Sequence, residues 1–343
     1  MCVRMAPSQK VPSMSFHHLP KVELHLHLDC SLSYTVVSQL NPSVTHKEYV
    51  ETFIAPVKCT NLADCLTRAL KGIELMQTEE QLRLVTQDLF AQLVQDNVLY
   101  AEIRFAPLLH TGKGLSAQDV VRVVEATVSE SIKATSVEAR ILLCTVRHFS
   151  ETQSLETVKL VEQFKGTNVA GFDIAGDEAG FPIDAHVKAF HYAREYNIPC
   201  TAHAGEAKGP QSVLETLCNF YPARIGHGVR SIEDPALIEH LRRNNIHLEV
   251  CPTCNVQTDI YPVYESHPVD KLYRSGLPLN INTDSRTMTN ITLNQEYENL
   301  HRTFGWDKEQ FLQSNLHALK AAFISEPVKQ QLIDRLLEAY HTL

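Results

Sequence analysis

The stretch Lys21-Val-Glu-Leu-His-Leu-His-Leu-Asp29 decides how this chain is read. Its even positions, Val22, Leu24, Leu26 and Leu28, are apolar, and its odd positions, Glu23, His25, His27 and Asp29, ionise. A period of two belongs to a strand, so one face is greasy and the other carries two imidazoles between carboxylates. Two histidines at i and i+2 can reach one metal ion from a single strand. The plainer reading is a half-buried edge strand with a wet face, and HxH alone is weak evidence for a metal. What the rest of the chain sets beside this strand separates the two readings.

With 343 residues, the chain is long enough for two domains or for one large α/β barrel. Hydrophobic residues at 44% and charged ones at 21% are ordinary for a globular protein and argue against disorder. A formal net charge of -9 leaves no basic surplus to displace counterions, which argues against nucleic acid as partner. A small neutral or cationic ligand remains. Nine cysteines, odd in number and without framework spacing, fit reduced thiols in a cytoplasmic protein. Residues 1–20 read as a short tail, with Met14 as an alternative start and no apolar core of a signal peptide. No run approaches the ~18 apolar residues that span a bilayer, so no membrane partner is expected.

From Cys30 to about Asn97 the pattern is helical. Leu62, Cys65, Leu66, Ala69 and Leu70 recur at three and four residues, as do Leu82, Val85, Leu89, Phe90 and Leu93. The ordinary βα loop has roughly 2–6 residues, so this excursion reads as a lid or insertion over about 30–97. An added helical pair that only packs fits the pattern equally well. Further strands are expected at Val98–Phe105, Ala139–Val146, Val169–Ala175, Pro199–Ala204, Arg224–Gly228, Ile246–Val250 and Leu277–Thr283. Helices are expected at Ala117–Ile132, Leu155–Phe164, Ala185–Tyr196, Gln211–Leu217, Pro235–Arg243 and His267–Tyr273, and again from Leu293 to Leu343. Ser116, with Asp119 three residues on, caps the first of these. The fold class is therefore α/β. Eight strands alternating with helices predict a (β/α)8 TIM barrel over 21–343, with additional helices after strand one and at the C-terminus. A doubly wound open sheet is the alternative, but it leaves the strand ends unexplained.

In such a barrel the active site lies at the C-terminal ends of the strands. Strand one ends in His25-Leu-His27-Leu-Asp29 and strand four in Asp173-Ile-Ala-Gly176-Asp-Glu178. Strand five ends in His203-Ala-Gly-Glu206, strand six in Gly226-His227-Gly228, and strand eight in Asn280-Ile-Asn-Thr-Asp284. Buried parallel strands should instead read as continuous apolar runs. Buried ionisable groups cost several kcal/mol each unless paired or metal-bound, so this accumulation favours a metal site. His25, His27, His203 and Asp284 offer three imidazole nitrogens and a carboxylate oxygen, a set suited to Zn²⁺ or another borderline divalent ion. Zinc with an open position lowers the pKa of bound water towards ~7. Glu206 is placed to transfer protons, and His227 to orient or deprotonate the water or to stabilise an oxyanion. The chemistry is metal-assisted hydrolysis of a polarised carbon.

A competing zinc pattern is His247-Leu-Glu249 followed by Cys251-Pro-Thr-Cys254, the pieces of the cytidine-deaminase signature. Only Val250 joins the halves, too short a connection for two helix starts. Buried thiols after strand seven are the preferred reading.

At these residues the chain resembles the adenosine deaminase family of the amidohydrolase superfamily. The matching segments are Lys21–Ser31, Tyr100–Pro107, Phe172–Glu178, Thr201–Glu206, Arg224–Val229, His247–Pro252 and Asn280–Asp284, spanning the chain in the family's order. The resemblance implies one zinc per subunit on His25, His27, His203 and Asp284, and a place in purine nucleoside salvage. It implies that Glu206 protonates purine N1 while His227 and Asp284 steer hydroxide to C6, from which ammonia leaves. Asp29 would hold the ribose 5′-hydroxyl with His27 beside it, and the Gly176 backbone would meet purine N3. Leu62, Cys65, Leu66 and Ala69 fall where the family has a hydrophobic gate, with smaller side chains that suggest a looser one. Two positions depart from the family pattern. Cys30 stands where a glycine is usual, and Ser285 where a second Asp contacts purine N7; the serine can still donate a hydrogen bond.

The resemblance thus implies hydrolytic deamination of adenosine and 2′-deoxyadenosine. Adenine or a nucleotide is the alternative substrate, with Arg147 and Arg286 as candidate phosphate contacts. A two-metal amidohydrolase is the other enzyme class, but strand four ends without the lysine that would bridge two metals. A non-enzymatic relative would have lost a ligand or the glutamate, and all are present. Nothing in the pattern specifies an oligomer.

Overall fold

The computed structural model describes residues 16–342, so most of the expected tail and its Met14 lie outside the described residues. The tail's last residues are part of the packing, with Phe16 and Leu19 buried. The opening stretch forms strand β1 (Lys21–His27), and it is not an edge: both its faces are buried. The Lys21 ammonium is satisfied by the carbonyls of Phe16, Leu19 and Asp96 at 2.9, 2.8 and 2.9 Å. Burial lowers its pKa to about 7.

Seven strands follow: β2 (Val98–Phe105), β3 (Glu138–Val146), β4 (Val169–Ala175), β5 (Thr201–Ala204), β6 (Arg224–His227), β7 (His247–Val250) and β8 (Leu279–Ile281). They pair in parallel as β1-β2-β3-β4 and β5-β6-β7-β8. Isolated parallel bridges, Phe172 with Cys200 and Leu26 with Asp284, span the two seams and make the (β/α)8 barrel. β8 is shorter than the expected Leu277–Thr283, and side-chain amides take over where its ladder stops. Asn282 Oδ1 accepts from the Leu24 and His25 amides at 2.8 and 3.0 Å, and Asn315 Oδ1 accepts from the Val22 amide at 2.8 Å. Buried backbone donors must be paired, so these asparagines complete what the sheet does not.

Five helices lie between β1 and β2: α1 (Tyr34–Leu40), α2 (His46–Thr52), α3 (Leu62–Leu66), α4 (Ala69–Glu74) and α5 (Glu79–Gln95). The expected stripe from Leu62 to Leu70 is interrupted at Thr67 and Arg68, which divide α3 from α4. Gly72 lets α4 press on the end of β1, since a Cβ there would sit 2.5 Å from the Asp29 carbonyl oxygen. Around the barrel run α6 (Ala117–Thr135), α7 (Glu151–Gln163), α8 (Val187–Glu195), α9 (Pro210–Phe220), α10 (Pro235–Arg243), α11 (Pro252–Gln257) and α12 (Val269–Arg274). α13 (Leu293–Phe304), α14 (Lys308–Ala321) and α15 (Glu326–Thr342) close the chain. Ser116 caps α6 as expected, accepting from the Asp119 amide at 3.1 Å. α7 starts earlier than expected because Ser150 and Gln153 form a capping box. α11 is a helix that the cysteine-centred reading of 251–254 did not anticipate, opened by Pro252 at its first position. Among the described residues no helix is long and apolar enough to cross a membrane.

The barrel interior carries a buried ion network. Arg104 of β2 reaches Asp173 of β4 and Glu249 of β7, each at 2.7 Å, and Arg224 of β6 reaches Glu249 at 2.7 Å and also Glu102. Such charges are tolerable because each is paired and hydrogen-bonded.

Candidate active site

Five ionisable side chains converge where the strands stop. His25 and His27 come from β1, His203 from β5, His227 from β6, and Asp284 from the bridge after β8. The Nε2 atoms of His25 and His27 each lie 3.4 Å from Asp284 Oδ1, and His27 Nε2 lies 3.2 Å from His203 Nε2. Ligand atoms of His25, His203, His227 and Asp284 all fall within 4.8 Å of one another. That group takes in His227 and leaves out His27; the His227 Nε2 lies 4.0 Å from Asp284 Oδ2 and 3.6 Å from Glu206 Oε2. His227 and Asp284 both have left-handed backbone, φ 59° and 64°. That conformation costs non-glycine residues of order 1–3 kcal/mol, and it turns both side chains off the ladder at the strand ends.

The interior network holds these rings. His25 Nδ1 lies 2.9 Å from Glu249 Oε2, and His203 Nδ1 lies 3.2 Å from Asp173. Each carboxylate accepts the Nδ1 proton and leaves Nε2 aimed at the centre, which fixes the tautomer a metal ligand needs. Burial opposes ionisation of Asp173 and Glu249, but His203 and Arg104 hold Asp173 low, and Arg104 with Arg224 hold Glu249 well below its usual range. Burial pushes His27 down to about 3 and lowers His203 as well, so both are neutral donors near pH 7. Burial and Arg104 pull His25 down, yet Asp284 and Glu249 leave it raised. His25 Nε2 is buried without an aligned hydrogen bond. The lowered imidazoles of His27 and His203 beside the ionised Asp284 carboxylate fit a borderline divalent cation.

Glu206 is the opposite case. Burial, then Asp284 and Glu178, raise its pKa well above the usual carboxyl value, which favours the protonated acid. Its Oε1 is buried with no partner. The loop carrying it is pinned by Glu178, which accepts from the amides of Gly205, Glu206 and Lys208 at 2.7, 3.0 and 2.9 Å and from Ser212 Oγ at 2.6 Å. A carboxyl with a raised pKa beside a group of side chains that could hold a metal ion suits general acid–base chemistry.

The family model for adenosine deaminase matches residues 20–339. The chain belongs to the adenosine deaminase family. The adenosine deaminase of Lacticaseibacillus casei is 35% identical over 334 residues, spanning 96% of this chain and 98% of that protein. That of Enterococcus faecalis is 34% identical over 328 residues, spanning 94% and 97%. Among solved structures, an adenine deaminase from Arthrobacter aurescens superposes with TM-score 0.86 at 24% identity, covering 93% of this chain and 98% of that one. An N6-mAMP deaminase from arabidopsis gives 0.82 at 24% identity, covering 94% and 99%. These two share the fold.

The cavity of this adenosine deaminase family member holds about 450 Å³. His27, Asp29, Gly176, His203, Glu206, His227, Asp284 and Ser285 all border it. Leu62, Cys65 and Leu66 of α3 and Ala69 and Leu70 of α4 also line it. Asp29 stays ionised: burial opposes this, but the His110 imidazole, 3.7 Å away, outweighs it. Gly176 has φ 100° at the end of β4, where a Cβ would meet Val146 Cγ1 at 2.9 Å, so its backbone can turn towards the cavity. Arg147 and Arg286 are not phosphate contacts. Arg147 donates to the carbonyls of His203 and Phe181 at 2.9 and 3.3 Å, and Arg286 to Glu23 and Asp96 at 2.7 and 2.6 Å. Both are drawn into structural pairs, and neither borders the cavity. The His247, Glu249, Cys251 and Cys254 pattern is no ligand set, since His247 bonds Asn280 at 2.9 Å and Glu249 serves His25 and two arginines. A second cavity, at the opposite end near His18, Val98 and Arg335, has only exposed ionisable residues.

The sequence pattern assigns no role to Arg104, Glu178 or Asn255, and it misplaces Glu249. A buried Glu two residues after His247 on a parallel strand was the available signal, and it was assigned to a different pattern.

Proposed function

We propose that this chain is a zinc-dependent adenosine deaminase, converting adenosine and 2′-deoxyadenosine to inosine and 2′-deoxyinosine with release of ammonia. The observation that carries the reading is the placement of Glu206, with a buried and unpartnered Oε1 and a raised pKa, beside the His25, His27, His203 and Asp284 cluster. Those four residues would hold one zinc per subunit, with His227 beside them. Zinc, when bound, supplies a Lewis acid that brings the pKa of water towards ~7. Glu206 gives its proton to purine N1, which makes C6 electrophilic. His227 and Asp284 position the attacking oxygen, and ammonia then leaves C6. Asp29, backed by His110, accepts from the ribose 5′-hydroxyl with His27 beside it. The Gly176 backbone meets purine N3, and Ser285 donates to N7. We place the enzyme in the cytoplasm, in keeping with eight described cysteines that are all free thiols.

No Lys or Arg is among the residues that border the cavity, which supports a nucleoside over a nucleotide. The ionised Asp29 favours a substrate with a sugar hydroxyl over free adenine. Comparison of kcat/KM for adenosine, adenine and AMP tests the reading. Adenosine is expected to lead; adenine or AMP as clear best substrate would reject it.

A further inference from the structure

His227 has two ring nitrogens, and which of them carries the proton decides whether it removes a proton from the attacking water or donates to its oxygen. The answer starts from a backbone amide twelve to fourteen residues beyond α11's core. The Val269 amide donates to His267 Nδ1 at 3.2 Å. A backbone N–H is always a donor, so this nitrogen must carry a lone pair. Burial pushes His267 down to about 3, so the ring is neutral and its proton sits on Nε2. His267 Nε2 therefore donates to Asn255 Oδ1, 3.2 Å away. With its oxygen so engaged, Asn255 turns its Nδ2 to His227 Nδ1 at 3.1 Å. An amide nitrogen can only donate, so His227 Nδ1 is an acceptor and the proton of the neutral ring lies on Nε2.

From this chain of three hydrogen bonds we propose that His267 and Asn255 are positioning residues that lock His227 as an Nε2–H donor. Its Nε2 faces Glu206 Oε2 at 3.6 Å and Asp284 Oδ2 at 4.0 Å, both acceptors that suit a donor between them. All three relay side chains are buried, so water does not scramble the direction of the relay. The proposal rests on the deaminase reading for its consequence and deepens it. His227 gives a hydrogen bond to the attacking oxygen and takes no proton from it. Asp284 is then the carboxylate within reach that accepts the water's proton, while Glu206 delivers its own to N1. A donor aimed at developing negative charge on oxygen is worth about 10²–10³ in kcat.

The test reads the tautomer directly. Long-range ¹H–¹⁵N spectra of histidine-labelled, zinc-loaded enzyme should show His227 Nδ1 as a lone-pair nitrogen and Nε2 as protonated, and the same pattern for His267. This needs no turnover, so it stands or falls apart from the substrate assignment. A protonated Nδ1 with bare Nε2 on His227 overturns the proposal. Asn255→Asp presents acceptors on both sides and should draw the His227 proton onto Nδ1. Its kcat should fall about 10²–10³-fold with KM and zinc content held. His267→Gln keeps a donor towards Asn255 and should retain most of the kcat that His267→Phe loses. Wild-type kcat in a folded Asn255→Asp, or equal loss in both His267 variants, rejects the relay.

Discussion

The two ends of the cavity are built in different ways. At the strand ends His25, His203, Glu206, His227 and Asp284 are buried and His27 is largely so, and each His25, His203 and His227 ring is held on its Nδ1 side by another residue, with partners drawn from β4, β7 and α11. Where α3 and α4, the expected lid, line the cavity, Leu66, Ala69 and Leu70 are half-buried or exposed, on two short helices, and form no polar network. Atoms that do chemistry must be held to within fractions of an ångström, and buried charge pairs from distant strands supply that rigidity. Residues that admit and enclose a ligand need only exclude water, and segments of low local stability do so while still opening. The comparison teaches that damage at the strand ends should appear in kcat and metal content, and damage at the lid in KM.

The largest effects should come from the strand ends. Glu206→Gln is expected to lower kcat by about 10²–10⁴-fold while zinc remains bound, read by steady-state kinetics with metal analysis. His25→Ala should lose metal and activity together, because the ligands act as a unit; retained metal in that variant would break the comparison. Next come the residues behind the ligands. Glu249→Gln and Asp173→Asn should each weaken zinc affinity by about 10–100-fold in a chelator competition, although neither side chain reaches the ion.

The same pair predicts a pH effect on stability. Burial would raise Asp173 and Glu249, but their cationic partners hold both below the ordinary carboxyl values near ~4. Their contribution is therefore complete above that pH and is lost as pH falls through the depressed folded values. Denaturant midpoints should fall on acidification below about pH 4, and Glu249→Gln should flatten that slope. The smallest effect belongs to the lid. Leu66→Ala should raise KM for adenosine by less than about tenfold, which is 1.4 kcal/mol, with kcat unchanged. A large loss of kcat there would mean that the lid helps to organise the chemistry.

Much of the fold was legible because strand periodicity is local. Val98–Phe105 and Val169–Ala175 have the expected bounds, and the ionisable residues His25, His27, His203, Glu206, His227 and Asp284 do converge at one end of the barrel. What escaped was nonlocal. Arg104 and Glu249 are 145 positions apart, so no spacing rule joins them, and Glu249 was read within HLEVCP instead of across the barrel. Arg286 looked available beside Asp284, yet it is spent on Glu23 and Asp96. β8 is shorter than its apolar flanks Leu277 and Ile281 suggest, because beyond Ile281 the Asn282 side chain replaces the ladder. α11 was hidden by its short length and by the attention its cysteines attract.

The most direct test of the central claim is the ultraviolet absorbance change of adenosine mixed with purified protein, with and without a chelator. The expected result is conversion to inosine that stops when the metal is stripped and returns with about one equivalent of zinc per chain. Full activity after complete removal of metal, or no conversion by zinc-loaded protein, would contradict it.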